Sequence, residues 1–301
     1  MSLSCVKYRF TLVFQEDGHL NSFLGTTVHG GLGWMLKDTC CSMNRSDCAG
    51  CPLEAVCIYS VIFESVRTRD EYGIHRPHPM TLRIPRGTPT TVHEGAKLTF
   101  EILLLGKYCA DIPYIVAAIE KLGKSGLGEG RVRYQLMAVT PSNSDRSIYW
   151  NGEMLKTNLP APEVISVGGN TRPESVCIRI ISPVRMKLNG QIKKIFSPEE
   201  FLSLIRTRLF TLNREYGESE RYPDLKSIDG IKVVSNDTCW FDQTRHSGRN
   251  RYRKIKYGGL IGEVILTNLS NDAWSLLKAG EIIQVGKGTS LGMGLYKLVP
   301  V

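Results

Sequence analysis

The 301-residue sequence predicts an α+β fold in which one order of strands and helices is used twice. Three observations carry this. The stretch Gly286-Lys287-Gly288-Thr289-Ser290-Leu291-Gly292-Met293-Gly294 places four glycines in nine residues, then runs into a short strand pattern, Leu295–Val299. A shorter counterpart lies upstream, where Gly123-Lys124-Ser125-Gly126-Leu127-Gly128-Glu129-Gly130 leads into a strand pattern at 131–139. Between the halves, residues 141–163 are rich in Pro, Ser and Asn, and the order of elements restarts after them. These features predict tandem ferredoxin-like (RRM-like) domains, each ending in a glycine-rich loop and strand. The predicted division is 1–145, a linker at 146–165, and 166–301, with a cysteine-rich insertion at 40–57.

Tyr8, Phe10, Leu12 and Phe14 alternate through 6–14 and predict a half-buried strand. Asn21 or Ser22 can cap a helix reaching about Lys37. Gly25, Gly30, Gly31 and Gly33 each weaken that helix by roughly 1 kcal/mol relative to alanine. Their number implies close approach of a strand or ligand, or tight packing on a sheet. Residues 38–60 read as a loop, and the proline- and histidine-rich stretch 73–93 as an irregular excursion. A strand is expected at 98–105. A helix follows at 111–122, with Asp111 as its cap and Pro113 in its first turn.

In the second half, 175–181 is strand-like. Ser197-Pro198-Glu199-Glu200 has the cap, proline and acidic first turn of a helix start, and that helix should reach Tyr216. Residues 217–244 show no clear period. A strand at 260–266 and a helix from Asn271 or Asp272 complete the order.

The formal net charge is +9, which favours polyanionic partners, nucleic acid above all. Hydrophobic content of 42% with 22% charged residues suits a chain that buries a core. No window has the roughly 18 apolar residues of a membrane span, so no membrane partner and a cytoplasmic location are expected.

Four constellations offer chemistry. Residues 245–257 hold Arg245, Arg249, Arg251, Arg253, Lys254 and Lys256 without an acid. On a strand or hairpin arm, Arg249, Arg251 and Arg253 share a face able to bridge phosphates, with Tyr252, Tyr257 and His246 as stacking surfaces. The competing reading is a solvated charge run. In the terminal loop, the bare amides of Gly286, Gly288, Gly292 and Gly294, with Lys287, can cradle an anion. Gly123-Lys124-Ser125 imitates the end of a nucleotide-binding P-loop, but Ala118 stands where that motif needs glycine.

The third constellation is Cys41, Cys48, Cys51 and Cys57, with Cys40 as an alternative first ligand. A Cys-x2-Cys core with two outer cysteines suits a structural zinc. An iron–sulfur cluster or metal-free thiols are the alternatives. The fourth is histidine, whose neutral-pH titration suits RNA cleavage by the 2′-hydroxyl. His29 lies in the glycine-rich helix and His246 in the basic segment. His75, His78 and His93 fall in the excursion, where a loop role is expected.

The ending from Gln284 to Tyr296 resembles the glycine-rich signature of the CRISPR pre-crRNA-processing endoribonucleases of the RAMP superfamily. Four other stretches share the likeness: His29-Gly30-Gly31-Leu32-Gly33; the Cys-x2-Cys-Pro segment ending in Cys57-x-Tyr59; Ser182-Pro183-Val184-Arg185; and Arg245-His246-Ser247 leading to Gly258-Gly259-Leu260-Ile261-Gly262. The resemblance implies cleavage of the CRISPR repeat in precursor crRNA with no metal cofactor for catalysis, leaving a 2′,3′-cyclic phosphate and a 5′-hydroxyl. It points to His29 for proton transfer. His246 stands where relatives often carry tyrosine, and Gln284 where they carry histidine. The alternative it leaves is a non-catalytic RNA-binding subunit of a CRISPR effector complex, with other effector subunits as partners.

Overall fold

Tyr8, Phe10, Leu12 and Phe14 are each at most 1% exposed on the first strand, β1 (Ser4–Phe14). The computed structural model describes residues 3–64, 76–155, 159–167, 172–218, 230–246 and 254–301. Ser4–Glu163 form one unit, and the second is built from Val164 onward. No helix among the described residues is long and apolar enough to cross a membrane.

In the first unit β1 is followed by α1 (Leu24–Cys40), β2 (Met80–Arg83), β3 (Lys97–Leu105), α2 (Ile112–Ser125) and β4 (Tyr134–Pro141). The strand order is β2–β3–β1–β4, all antiparallel, the ferredoxin-like arrangement. Tyr8 stands opposite Ile102 on one side, and Phe10 opposite Val139 on the other. Val28, Leu32 and Leu36 of α1 join Ile115, Ile119 and Leu122 of α2 in the core with the strand residues.

Several elements differ from expectation. Neither Asn21 nor Ser22 caps α1, which starts after Phe23 without a side-chain cap. Asn21 Oδ1 instead accepts from the Thr27 hydroxyl at 3.2 Å. The helix glycines admit another helix and an aromatic ring: a Cβ at Gly31 would meet Leu122 at 2.8 Å, and one at Gly33 would meet Phe63 at 2.9 Å. The supposed excursion contains β2, whose Met80 and Leu82 are fully buried at the sheet edge. Pro79 and Pro85 flank it, as befits a short edge strand. The stretch whose composition predicts a linker carries a small hairpin, Tyr149–Trp150 with Glu153–Met154, paired to β4. Buried Ile148 and Tyr149 tie it to the first core.

The second unit repeats the order as β5 (Ser175–Val184), α3 (Pro198–Tyr216), β6 (Lys232–Asn236), β7 (Cys239–His246), β8 (Lys254–Thr267), α4 (Asn271–Ile283) and β9 (Tyr296–Pro300). Its sheet runs β6–β8–β5–β9, with β7 also paired to β8. Ser197 accepts from the Glu200 amide at 3.2 Å, so α3 starts and ends as the sequence implies. For α4 the cap is Ser270, one residue ahead of Asn271, accepting from the Ala273 amide at 3.1 Å. Residues 217–244, without a clear period, supply β6 and β7. At 14 residues, β8 pairs with β6 along its inner part and with β7 along its outer part.

Candidate active site and nucleic-acid interface

His29 follows buried Val28 on α1 and precedes exposed Gly30, so its ring sits half-buried at the edge of the core. Its centroid is 4.8 Å from the Phe63 ring and 6.5 Å from that of His78, edge-on. Phe63 lies in a single π-helical turn, Ser60–Glu64, and Tyr59 stacks on it at 5.6 Å. The Tyr59 hydroxyl donates to Glu64 Oε1 at 3.2 Å. Two imidazoles beside an aromatic wall can divide proton work, one accepting and the other donating.

His78 was expected to serve only its loop. The fold brings it to His29 because β2, which it shortly precedes, docks at the sheet edge. No local pattern announces that pairing. His93 lies 3.4 Å from the Asp17 carboxylate on an exposed turn, and His75 falls outside the described residues.

In the second unit the terminal loop closes on the end of β5. The Lys287 amide donates to Arg185 O at 2.9 Å and the Gly294 amide to Pro183 O at 2.9 Å. Fully buried Gln284 donates from Nε2 to Met293 O at 2.9 Å, bracing the loop from within. Leu291, Gly292 and Met293 also spend their amides inside the loop. Much of the expected backbone cradle is therefore occupied in closing the loop on itself and on β5. Gly286 has φ +83°, and a Cβ there would lie 2.5 Å from Arg185 O. Gly286→Val should lower stability by at least about 1–3 kcal/mol in a urea titration, from backbone strain alone.

Lys287 has company that the sequence does not reveal. Burial lowers its pKa, and nearby Lys187 and then Arg208 push the same way. Arg208, on α3, encloses its guanidinium while its stem stays partly exposed. Burial pulls its pKa down to about 10, opposed by Tyr216, so it remains protonated at neutral pH. Its Nε donates to Ile283 O at 3.0 Å, while Nη2 has no acceptor among the described residues. No carboxylate pairs with Lys187, Arg208 or Lys287 among those residues. Three cations thus stand within electrostatic reach of one another with no carboxylate partner among the described residues, an arrangement that can attract an anion such as phosphate.

The upstream glycine loop has the opposite character. Lys124 pairs with Glu120 at 3.3 Å on α2, and Gly130 lies in a hollow shared with Glu16, Asp17 and Glu129. It turns the chain beside carboxylates, one of which, Glu16, pairs with Arg133 just past the loop at 3.0 Å.

Of the basic segment, β7 and β8 place His246 opposite Lys254, Arg245 opposite Ile255, and Thr244 opposite Lys256. Lys256 is exposed. The flanks of the segment thus pair as adjoining strands, while Arg249, Arg251 and Arg253, and with them the shared face expected of them, lie outside the described residues. In the first unit, Cys40, Cys41, Cys48, Cys51 and Cys57 line one cavity between the end of α1 and the π-turn.

Comparison with known proteins agrees with this architecture. Residues 3–162 match the family model described as the AF_1859_N N-terminal domain, and residues 178–296 match that of the CRISPR-associated endoribonuclease Cas6. A protein of Archaeoglobus fulgidus described as an uncharacterized protein is 23% identical over 299 residues, covering 99% of this chain and 98% of its own. Thermus thermophilus Cas6 has a TM-score of 0.56 and 12% identity, covering 99% of this chain and 100% of that one. A Cas6 product complex has a TM-score of 0.57 and 16% identity, with coverage of 98% and 100%. A partial Cas6-RT-Cas1–Cas2 complex has a TM-score of 0.60 and 12% identity, covering all of this chain but 46% of that one. At these identities the structural likeness is one of fold, tandem ferredoxin-like domains. The chain belongs to the family of the AF_1859_N domain through residues 3–162, and its residues 178–296 match the domain of the CRISPR-associated endoribonuclease Cas6.

Proposed function

We propose that this chain binds the repeat RNA of a CRISPR precursor transcript and cuts it without a catalytic metal. The 2′-hydroxyl loses its proton to a base, and O2′ attacks the adjacent phosphorus. The bond from phosphorus to O5′ breaks as an acid protonates O5′. The products are a 2′,3′-cyclic phosphate and a 5′-hydroxyl end. His29 takes the role of base and His78 that of acid. The observation that carries this reading is their approach to 6.5 Å between ring centroids. The match to the Cas6 domain supplies the endoribonuclease class, and the Lys187–Arg208–Lys287 group supplies a place for substrate phosphate. His246, on the basic arm, is assigned to RNA binding in this scheme.

The test is incubation of the protein with labelled repeat RNA in excess EDTA. Cleavage should persist there. A 2′-deoxy nucleotide on the 5′ side of the scissile bond should abolish it while binding remains. Cutting of the deoxy substrate, or tight binding with no cutting of the unmodified RNA, would overturn the proposal.

A further inference from the structure

The loop from Cys41 to Cys57 is built inside out for an apolar fold. Between those two residues only Cys48, Cys51 and Glu54 are even partly withdrawn from solvent. The hydrophobic side chains point outward: Met43 is 46% exposed, Leu53 39% and Val56 77%. A stretch this long with no buried apolar side chain lacks the ordinary means of holding a shape. What it turns inward, around one cavity, is thiols.

The backbone is nonetheless arranged around those thiols. The Cys51 amide donates to Cys48 O at 3.0 Å and the Glu54 amide to Cys51 O at 2.9 Å, winding Cys-x2-Cys into a tight turn. Backbone N–H groups of Arg45, Met43 and Asn44 point at Cys41 Sγ, the outer support that a metal-bound thiolate receives. Lys37 donates to Ser46 O at 2.8 Å, which brings a positive charge to the cluster.

We propose that Cys41, Cys48, Cys51 and Cys57 bind one zinc ion as four thiolates, releasing four protons, in a closed structural site. Among the described residues no three or more His, Cys, Asp or Glu side chains are placed so as to hold a metal ion, so binding requires the sulfurs to move together. Cys40 stays outside the set, beside Cys57 at the end of α1. The site has a mechanical consequence. Cys57 leads directly into Tyr59 and Phe63, the aromatic pair against His29, so the ion anchors the wall of the candidate active site.

The experiment uses the full chain, purified under reducing conditions and dialysed against a weak chelator. Metal analysis should find one zinc per chain. Stripping it should expose four further thiols to a thiol reagent and open the chain to protease between Ser42 and Val56. Cobalt replacement should give thiolate charge-transfer and tetrahedral absorption bands. Cys48→Ser and Cys51→Ser should lose the ion, and Cys40→Ser should keep it. A metal-free protein with reduced thiols, a disulfide among these residues, or iron with labile sulfide would each overturn the assignment. So would a Cys41→Ser variant that retains zinc while Cys40→Ser loses it. None of these readouts depends on RNA cleavage.

Discussion

His29→Ala should lower the single-turnover rate of repeat-RNA cleavage by about 10²–10⁴-fold, the usual worth of a positioned acid or base. RNA affinity should be unchanged, because the phosphate seat belongs to other residues. Stability should change little as well. His29 is half-buried, and the packing of α1 rests on Val28, Leu32 and Leu36, which are at most 1% exposed. His78→Ala should cause a loss of the same order, and the double variant should fall well short of the product of the two, as expected when both groups serve one step. His246→Ala should weaken binding without a comparable loss in the chemical step. If His78→Ala cuts normally while His246→Ala does not, the acid belongs to the basic arm.

Removing charge at Lys287 should separate binding from stability. In the free protein Lys287 is exposed but stands near Lys187 and Arg208, all of one sign. Lys287→Met should therefore leave the melting temperature unchanged or raise it, since it relieves like-charge repulsion. The same variant should bind RNA about 10-fold or more weakly, the scale of one charged hydrogen bond. The dependence of log affinity on log salt should become shallower by about 0.7 for each phosphate of single-stranded RNA that is no longer neutralised. Arg208→Leu should weaken binding similarly but also cost stability, because its Nε holds the last carbonyl of α4. Fluorescence anisotropy over a salt series, with thermal melts of the same samples, checks both halves. A Lys287→Met protein that binds normally would remove the loop from the RNA interface.

What the sequence discloses is what short segments decide. Ser197 accepts its hydrogen bond from an amide three residues on, so the start of α3 is legible in Ser-Pro-Glu-Glu. The alternation of β1 is equally local. β2 is not: four of the five residues between Pro79 and Pro85 become a strand only because β3 offers Leu104 and Ile102 opposite Met80 and Leu82. The same long-range docking brings His78 to His29. Arg208 and Lys187 are illegible for a related reason. An arginine on α3 and a lysine in a short hairpin, Met186–Leu188 with Gln191–Lys193, carry no mark until folding sets them near Lys287. The glycine loop is conspicuous, but its amides are largely committed to closing the loop, a fact that composition cannot convey.

The unusual length of β8 has a further consequence. Val264 and Leu266, both fully buried, lock its inner part, while its outer part carries Lys254 and Lys256 along β7. Successive residues of a strand face opposite sides, so a shift of one position exchanges the faces. The arm thus inherits its handedness from the core as a matter of odd and even. Inserting a single residue between Lys256 and Leu260 would leave the hydrophobic layer intact and turn Lys256 over. Inserting two would restore its side and merely lengthen the reach. The spacing of this strand is thereby a dial on the chemistry of its tip, set by side chains that never meet the RNA.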